Sequence, residues 1–181
     1  GRSGHDFATH PDYPPEISAP TGTLFGVSGF QVQLASGSAL TSGDKPDLLV
    51  IMNPAALATN LPDAKSGATL IVNSGAFTAG NLEKAGYAAN PLEDGSLAEY
   101  RIFAVDMSGL TAHALAGSGL GKKEIGRCKN YFALGLMLSL FGESPDQQIA
   151  DIRSKFGSKD PQIAEANISA LSAGYAYGDA T

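Results

Sequence analysis

The sequence predicts an α/β domain with a mainly parallel sheet flanked by helices and a helical C-terminal third. The run Leu48–Met52 is apolar without interruption, and Ala68–Val72 is a second apolar strand. Strands have this composition when both of their faces are covered, as in a parallel sheet between helices. From Lys122 to about Ala173, apolar residues recur at helical spacing.

The two apolar strands belong to a βαβ unit that spans residues 47–76. Asn53 and Pro54 end the first strand, and Pro54 suits the first turn of a helix because its missing N–H would be unpaired there. Pro62 and Gly67 end the short helical segment before the second strand. A strand, a crossover and a strand of about 30 residues form a βαβ unit, with a right-handed crossover. We expect the other elements to pack around it.

Two further strands are predicted near the N-terminus. Residues 6–9 read as a short strand, and residues 30–34 alternate with period 2, which indicates a strand nearer the sheet edge. Between them, residues 10–17 contain three prolines, which argues against regular structure and leaves a binding loop or a surface connection as alternatives. The glycine-rich stretch 22–29 either receives a ligand or forms a turn.

The second half of the chain predicts one strand and several helices. Thr78 is placed to cap a short helix, and residues 100–105 read as the third main strand. Ser108 or Thr111 is expected to cap the helix after that strand. The next helix is apolar nearly all round in its second half, which indicates burial against the sheet or a partner. The last three predicted helices are Lys122–Phe141, Asp146–Phe156 and Pro161–Ala173.

Composition excludes several classes of function. A length of 181 residues suits one domain. A net charge of −6 and the lack of a basic run argue against a nucleic-acid-binding surface. No stretch approaches about 20 apolar residues, so no membrane span is expected. The single cysteine, Cys128, excludes a disulfide framework or a cysteine-rich metal motif from this chain alone, and a reduced, cytoplasmic setting is the simplest interpretation.

The residues contain no strong catalytic motif, and two features remain as candidate sites. Arg127, Lys129 and Asn130 lie one turn ahead of an apolar segment, where they could pair with a phosphate or carboxylate or form a polar shell at a helix end. Asn53 follows the central strand at its carboxyl end, where ligands of open α/β sheets bind, unless it bonds only to backbone. Cys128, within a helical stretch, reads as a buried inert thiol.

Several segments together resemble a known family. They resemble the gamma domain of the 2-oxoacid:acceptor oxidoreductases, most closely the alpha subunit of the 2-oxoglutarate:ferredoxin type, into which that domain is fused. The resemblance covers nearly the whole chain in order, and it implies a Rossmann-like sheet and a single gamma-type domain over residues 1–181. The segments that carry it are HDFATHPDYPPEISAPTGTLFGVSGFQV, DLLVIMNPAAL, LIVNSGAF, AGYAANPLEDGSL, RCKNYFALGLMLSLFG and PQIAEANISALSAGYAYG.

The resemblance implies a role in a larger enzyme. Members of the family decarboxylate a 2-oxoacid on thiamine diphosphate with Mg²⁺, send electrons through an iron–sulfur cluster to ferredoxin, and pass the acyl group to coenzyme A. The gamma domain alone is expected to hold none of these groups and to supply no catalytic residue and no metal ligand. It is implied to pack against the thiamine-binding parts and to help close the coenzyme A channel.

The implied partners are a thiamine-binding beta subunit, the remainder of the alpha subunit and, through the assembly, ferredoxin, with no nucleic acid and no membrane. Arg127, Lys129, Asn130 and Asn53 are then candidate coenzyme A or interface contacts. The alternative hypothesis is a free-standing nucleotide- or acyl-CoA-binding module of the same fold without redox activity.

The chain departs from the family pattern at both ends. The first βα unit of the family's domain is missing, and the chain stops where the fused subunit would continue. We therefore expect a piece of a longer polypeptide, whose sheet lacks a strand unless another segment supplies it.

Overall fold

The computed structural model describes the backbone of residues 6–12 and 29–35 and all of residues 45–181. Single 3-10 turns lie at Leu61–Asp63 and Ser74–Ala76. The strands are β1 (Asp6–Asp12), β2 (Gly29–Ala35), β3 (Leu48–Ile51), β4 (Thr69–Asn73) and β5 (Arg101–Val105). The helices are α1 (Pro54–Asn60), α2 (Ala79–Lys84), α3 (Met107–Ala114), α4 (Lys122–Leu140), α5 (Asp146–Phe156) and α6 (Pro161–Asp179).

β1 and β2 form a two-stranded antiparallel sheet of their own, with Asp6 opposite Ala35 and Asp12 opposite Gly29. Both strands were predicted, but the expectation of irregular structure from His10 onward was wrong, because β1 continues through Pro11. In a two-stranded sheet each strand is an edge strand, and edge strands tolerate a residue without an N–H donor. The remaining prolines of that segment and residues 22–28 lie outside the described residues.

The main sheet has the strand order β3-β4-β5. β3 and β4 are parallel, with Leu48 opposite Thr69 and Ile51 opposite Val72, and α1 lies between them in the chain. The Arg101 N–H donates to the Ala68 carbonyl at 3.0 Å, so β5 begins beside the start of β4 and runs in the same direction. The predicted βαβ unit and the mainly parallel sheet are confirmed.

The described residues divide into two compact units. The first runs to Val72 and resumes over Phe77–Phe103, and the second comprises Asn73–Ala76 and Ala104–Thr181. In the first unit, α1 and α2 bury one leucine each against the strands. β3 is less covered than its apolar sequence indicated, since only its last residue is fully buried. The core of this unit consists of Ile51, Leu57, Leu70, Val72, Phe77, Leu82 and Leu97.

The second unit is built around the crossing of α4 and α6. A Cβ added to Gly135 would collide with the carbonyl oxygen of Leu171, and one added to Gly174 would collide with that of Phe132. The two helices therefore approach each other through bare backbone. α6 also continues to Asp179, beyond its predicted end at residue 173, and the added turns place the Tyr177 ring against Phe132 with ring centroids 6.1 Å apart.

Within the chain, the second half of α4 is buried on one side only, and it packs there against α6. Its side toward α6 is buried, including Phe132 and Leu136 at 1% and 3% exposure. Leu134 and Leu140, however, are 39% and 51% exposed, and Phe141 just after the helix is 52% exposed. The helix therefore has one apolar face that nothing among the described residues covers.

Candidate functional site

Asn53 lies between β3 and α1, at the carboxyl end of the strand, as predicted. Its backbone is extended, and its side-chain oxygen accepts a hydrogen bond from the Ala56 N–H at 2.8 Å. Pro54 occupies the first helical position, where it needs no partner. The side chain therefore caps the helix. The sequence had left two alternatives for it, a contact to a ligand and a hydrogen bond to the backbone, and the structure shows the backbone hydrogen bond.

The three candidate residues on α4 do not form one cluster. Arg127 and Asn130 are exposed and lie three residues apart, so they share one face of the helix. Lys129 is half-buried, and it lies two residues from Arg127, a spacing that puts the two side chains on different sides. Asn53 belongs to the first unit and α4 to the second. The structure thus pairs only Arg127 with Asn130.

Cys128 lies on the buried face of the same helix. Its thiol is 1% exposed and donates to the Glu124 carbonyl oxygen at 3.4 Å. Burial, and then the Glu124 carboxylate, raise the pKa of the Cys128 thiol, so the reactive thiolate is disfavoured. The residue is a small packing group, as the sequence indicated.

Sequence reasoning missed a group of polar contacts at the carboxyl ends of β4 and β5. Asn73 is 0% exposed; its side-chain oxygen accepts from the Ser108 N–H at 3.1 Å and its amide donates to the Ser108 Oγ at 3.0 Å. The Asp106 carboxylate accepts from the Gly109 N–H at 2.8 Å and so caps α3, rather than Ser108 or Thr111. Neither Gly75 nor Gly109 has room for a Cβ beside that carboxylate.

These contacts tie the loop after β4 to the start of α3. The signal that could have found them is a polar residue at the carboxyl end of each strand: Asn73 is the last residue of β4, and Asp106 follows β5 directly. A side chain in that position meets the next helix N-terminus, whose free N–H groups need acceptors. The arrangement orders the loops at this end of the strands, and its carboxylate lies at the protein surface.

A shallow cavity of about 270 Å³ lies in the second unit, beside the C-terminal end of α3 and the N-terminal half of α6. The Gln162 side chain donates to the Ser118 carbonyl at 2.7 Å at its rim. None of the four candidate residues lines it. The lining residues are Ala114, Leu115, Gly117, Ser118, Gln162, Glu165, Ala166 and Ser169.

Within the described ranges, no three His, Cys, Asp or Glu side chains are grouped so as to hold a metal ion. With one cysteine in the whole chain, these residues do not fit an iron–sulfur cluster ligated by this chain alone. Among the same described residues, no helix has the length and apolar character needed to cross a membrane.

Comparison with known proteins supports the resemblance found in the sequence. The 2-oxoglutarate oxidoreductase subunit KorA of Mycobacterium tuberculosis is 52% identical over 178 residues, which cover 98% of this chain and 27% of that protein. The chain thus spans about a quarter of the length of this relative.

Two solved structures share the fold. The 2-oxoglutarate:ferredoxin oxidoreductase of Magnetococcus marinus, solved with 2-oxoglutarate, coenzyme A and succinyl-CoA bound, matches 99% of this chain and 27% of that one at a TM-score of 0.68 and 22% identity. The gamma subunit of a keto/oxoacid ferredoxin oxidoreductase from Geobacter sulfurreducens matches 99% of this chain and 84% of that one, with a TM-score of 0.59 and 19% sequence identity. The α/β fold with a parallel sheet is confirmed.

The model of the family described as pyruvate ferredoxin/flavodoxin oxidoreductase matches residues 1–177, nearly the whole chain. With this match and the 52% identity to a subunit of a 2-oxoglutarate oxidoreductase, the chain belongs to the pyruvate ferredoxin/flavodoxin oxidoreductase family.

Proposed function

We propose that this chain is the gamma-type domain of a 2-oxoglutarate:ferredoxin oxidoreductase. The observation that carries the proposal is the 52% identity to a 2-oxoglutarate oxidoreductase subunit along 98% of the chain. In the assembled enzyme, 2-oxoglutarate and coenzyme A are converted to succinyl-CoA and CO₂, and two electrons pass to ferredoxin. Thiamine diphosphate with Mg²⁺ would supply the carbanion chemistry, and an iron–sulfur cluster the electron path.

In this proposal the chain itself performs no bond-breaking step. Its single cysteine is buried, and the raised pKa of the thiol disfavours the thiolate. The only described histidine side chain, His113, lies exposed near the end of α3. The chain would pack against the thiamine-binding beta subunit and the remainder of the alpha subunit, in the cytoplasm. Asn53, Arg127, Lys129 and Asn130 are its candidate contacts to coenzyme A or to those polypeptides.

The test is to purify the native protein from its source and to identify the chains and cofactors that copurify. We expect a longer alpha chain that contains this sequence, a beta subunit, bound thiamine diphosphate and an iron–sulfur chromophore. The preparation should reduce a viologen dye only when both 2-oxoglutarate and coenzyme A are supplied. A lone chain with no chromophore and no such activity would exclude the proposal and favour a free-standing nucleotide- or acyl-CoA-binding module.

The activity assay also separates neighbouring substrates. Within this proposal, 2-oxoglutarate should give a kcat/KM at least tenfold above that of pyruvate. Preference for pyruvate would leave the chain in its family but overturn the assignment of 2-oxoglutarate.

A further inference from the structure

We draw no further inference here: the strongest candidate, the exposed apolar patch that Leu134, Leu140 and Phe141 form at the C-terminal end of α4, is an unpartnered helix face, and nothing in the described part of the chain shows what covers it.

Discussion

Two glycines set the distance between α4 and α6. At Gly135 the nearest atoms to an added Cβ belong to the backbone of Leu171 and Tyr175, and backbone cannot move aside as a flexible side chain can. Gly174 meets the backbone of Phe132 in the same way. The sequence predicts a helix around Gly135 and ends the last predicted helix just before Gly174. In the structure both glycines lie inside helices, where glycine costs helix stability, and only the packing of the two helices explains them.

Gly135→Ala should therefore lower the free energy of unfolding by about 1–3 kcal/mol, the usual cost of forcing extra atoms into a packed core. Gly126→Ala is the matched control, because Gly126 lies in the same helix with nothing within 4 Å of an added Cβ. That control should raise the free energy of unfolding by about 0.5–1 kcal/mol through helix propensity. Urea unfolding of the two variants measures both values, and equal effects would contradict the close crossing.

At the same scale, Asn53 shows what a pattern of residues can and cannot specify. Its place between an apolar strand and Pro54 predicted both the strand end and the helix start. Whether its side chain meets a ligand or the Ala56 N–H depends on the backbone angles of a few residues, and periodicity contains no information on them. Arg127 and Lys129 were grouped because they are neighbours in sequence, but helical geometry separates them.

At the scale of elements, α3 depends on its first residues. Asp106 is the single residue between β5 and α3, and its carboxylate caps the helix by accepting from the Gly109 N–H at 2.8 Å. The sequence favoured Ser108 or Thr111 as the cap. It missed Asp106 because a strand that leads straight into a helix leaves no loop residues to signal the boundary.

Asp106→Ala should lower the free energy of unfolding by about 0.5–2 kcal/mol, since it removes the acceptor at the helix N-terminus. Asp106→Asn keeps an acceptor oxygen and should retain most of that stability. Thermal unfolding of both variants checks the assignment. A loss as large for asparagine as for alanine would show that the negative charge, and not the cap, is what matters.

At the scale of the whole molecule, stability should decline at alkaline pH. Burial raises the pKa of the Tyr131 hydroxyl, and burial with the Glu124 carboxylate raises the pKa of the Cys128 thiol. Both groups are neutral when protonated, so the folded chain favours the protonated forms. Their contribution to the free energy of unfolding is complete below the usual thiol pKa of about 8.5. It is lost as the pH rises through the raised pKa values of the folded chain.

The measurement is the urea midpoint of unfolding between about pH 7 and about pH 11, which should fall progressively above about pH 8.5. Cys128→Ala removes the thiol and should flatten the first part of that decline while leaving the part above about pH 10 to the tyrosines. A midpoint that stays constant to pH 10 would show that these groups titrate as freely in the folded chain as in the unfolded one.

The sequence alone determined the secondary structure of most of this chain, the βαβ unit and the family. Uninterrupted apolar strands, proline and glycine at element boundaries and helical spacing are local signals, and the family segments are read directly from the residues. Only the tertiary structure decided that β1 and β2 form a sheet apart from the main one, that Asp106 caps α3, and that α4 buries one side against α6 and leaves Leu134, Leu140 and Phe141 exposed. The sheet and the helix packing depend on which residues meet across long distances in the chain, whereas the Asp106 cap depends on the backbone angles of the residues that follow it. An apolar helix has the same sequence whether α6, another protein or solvent lies against it.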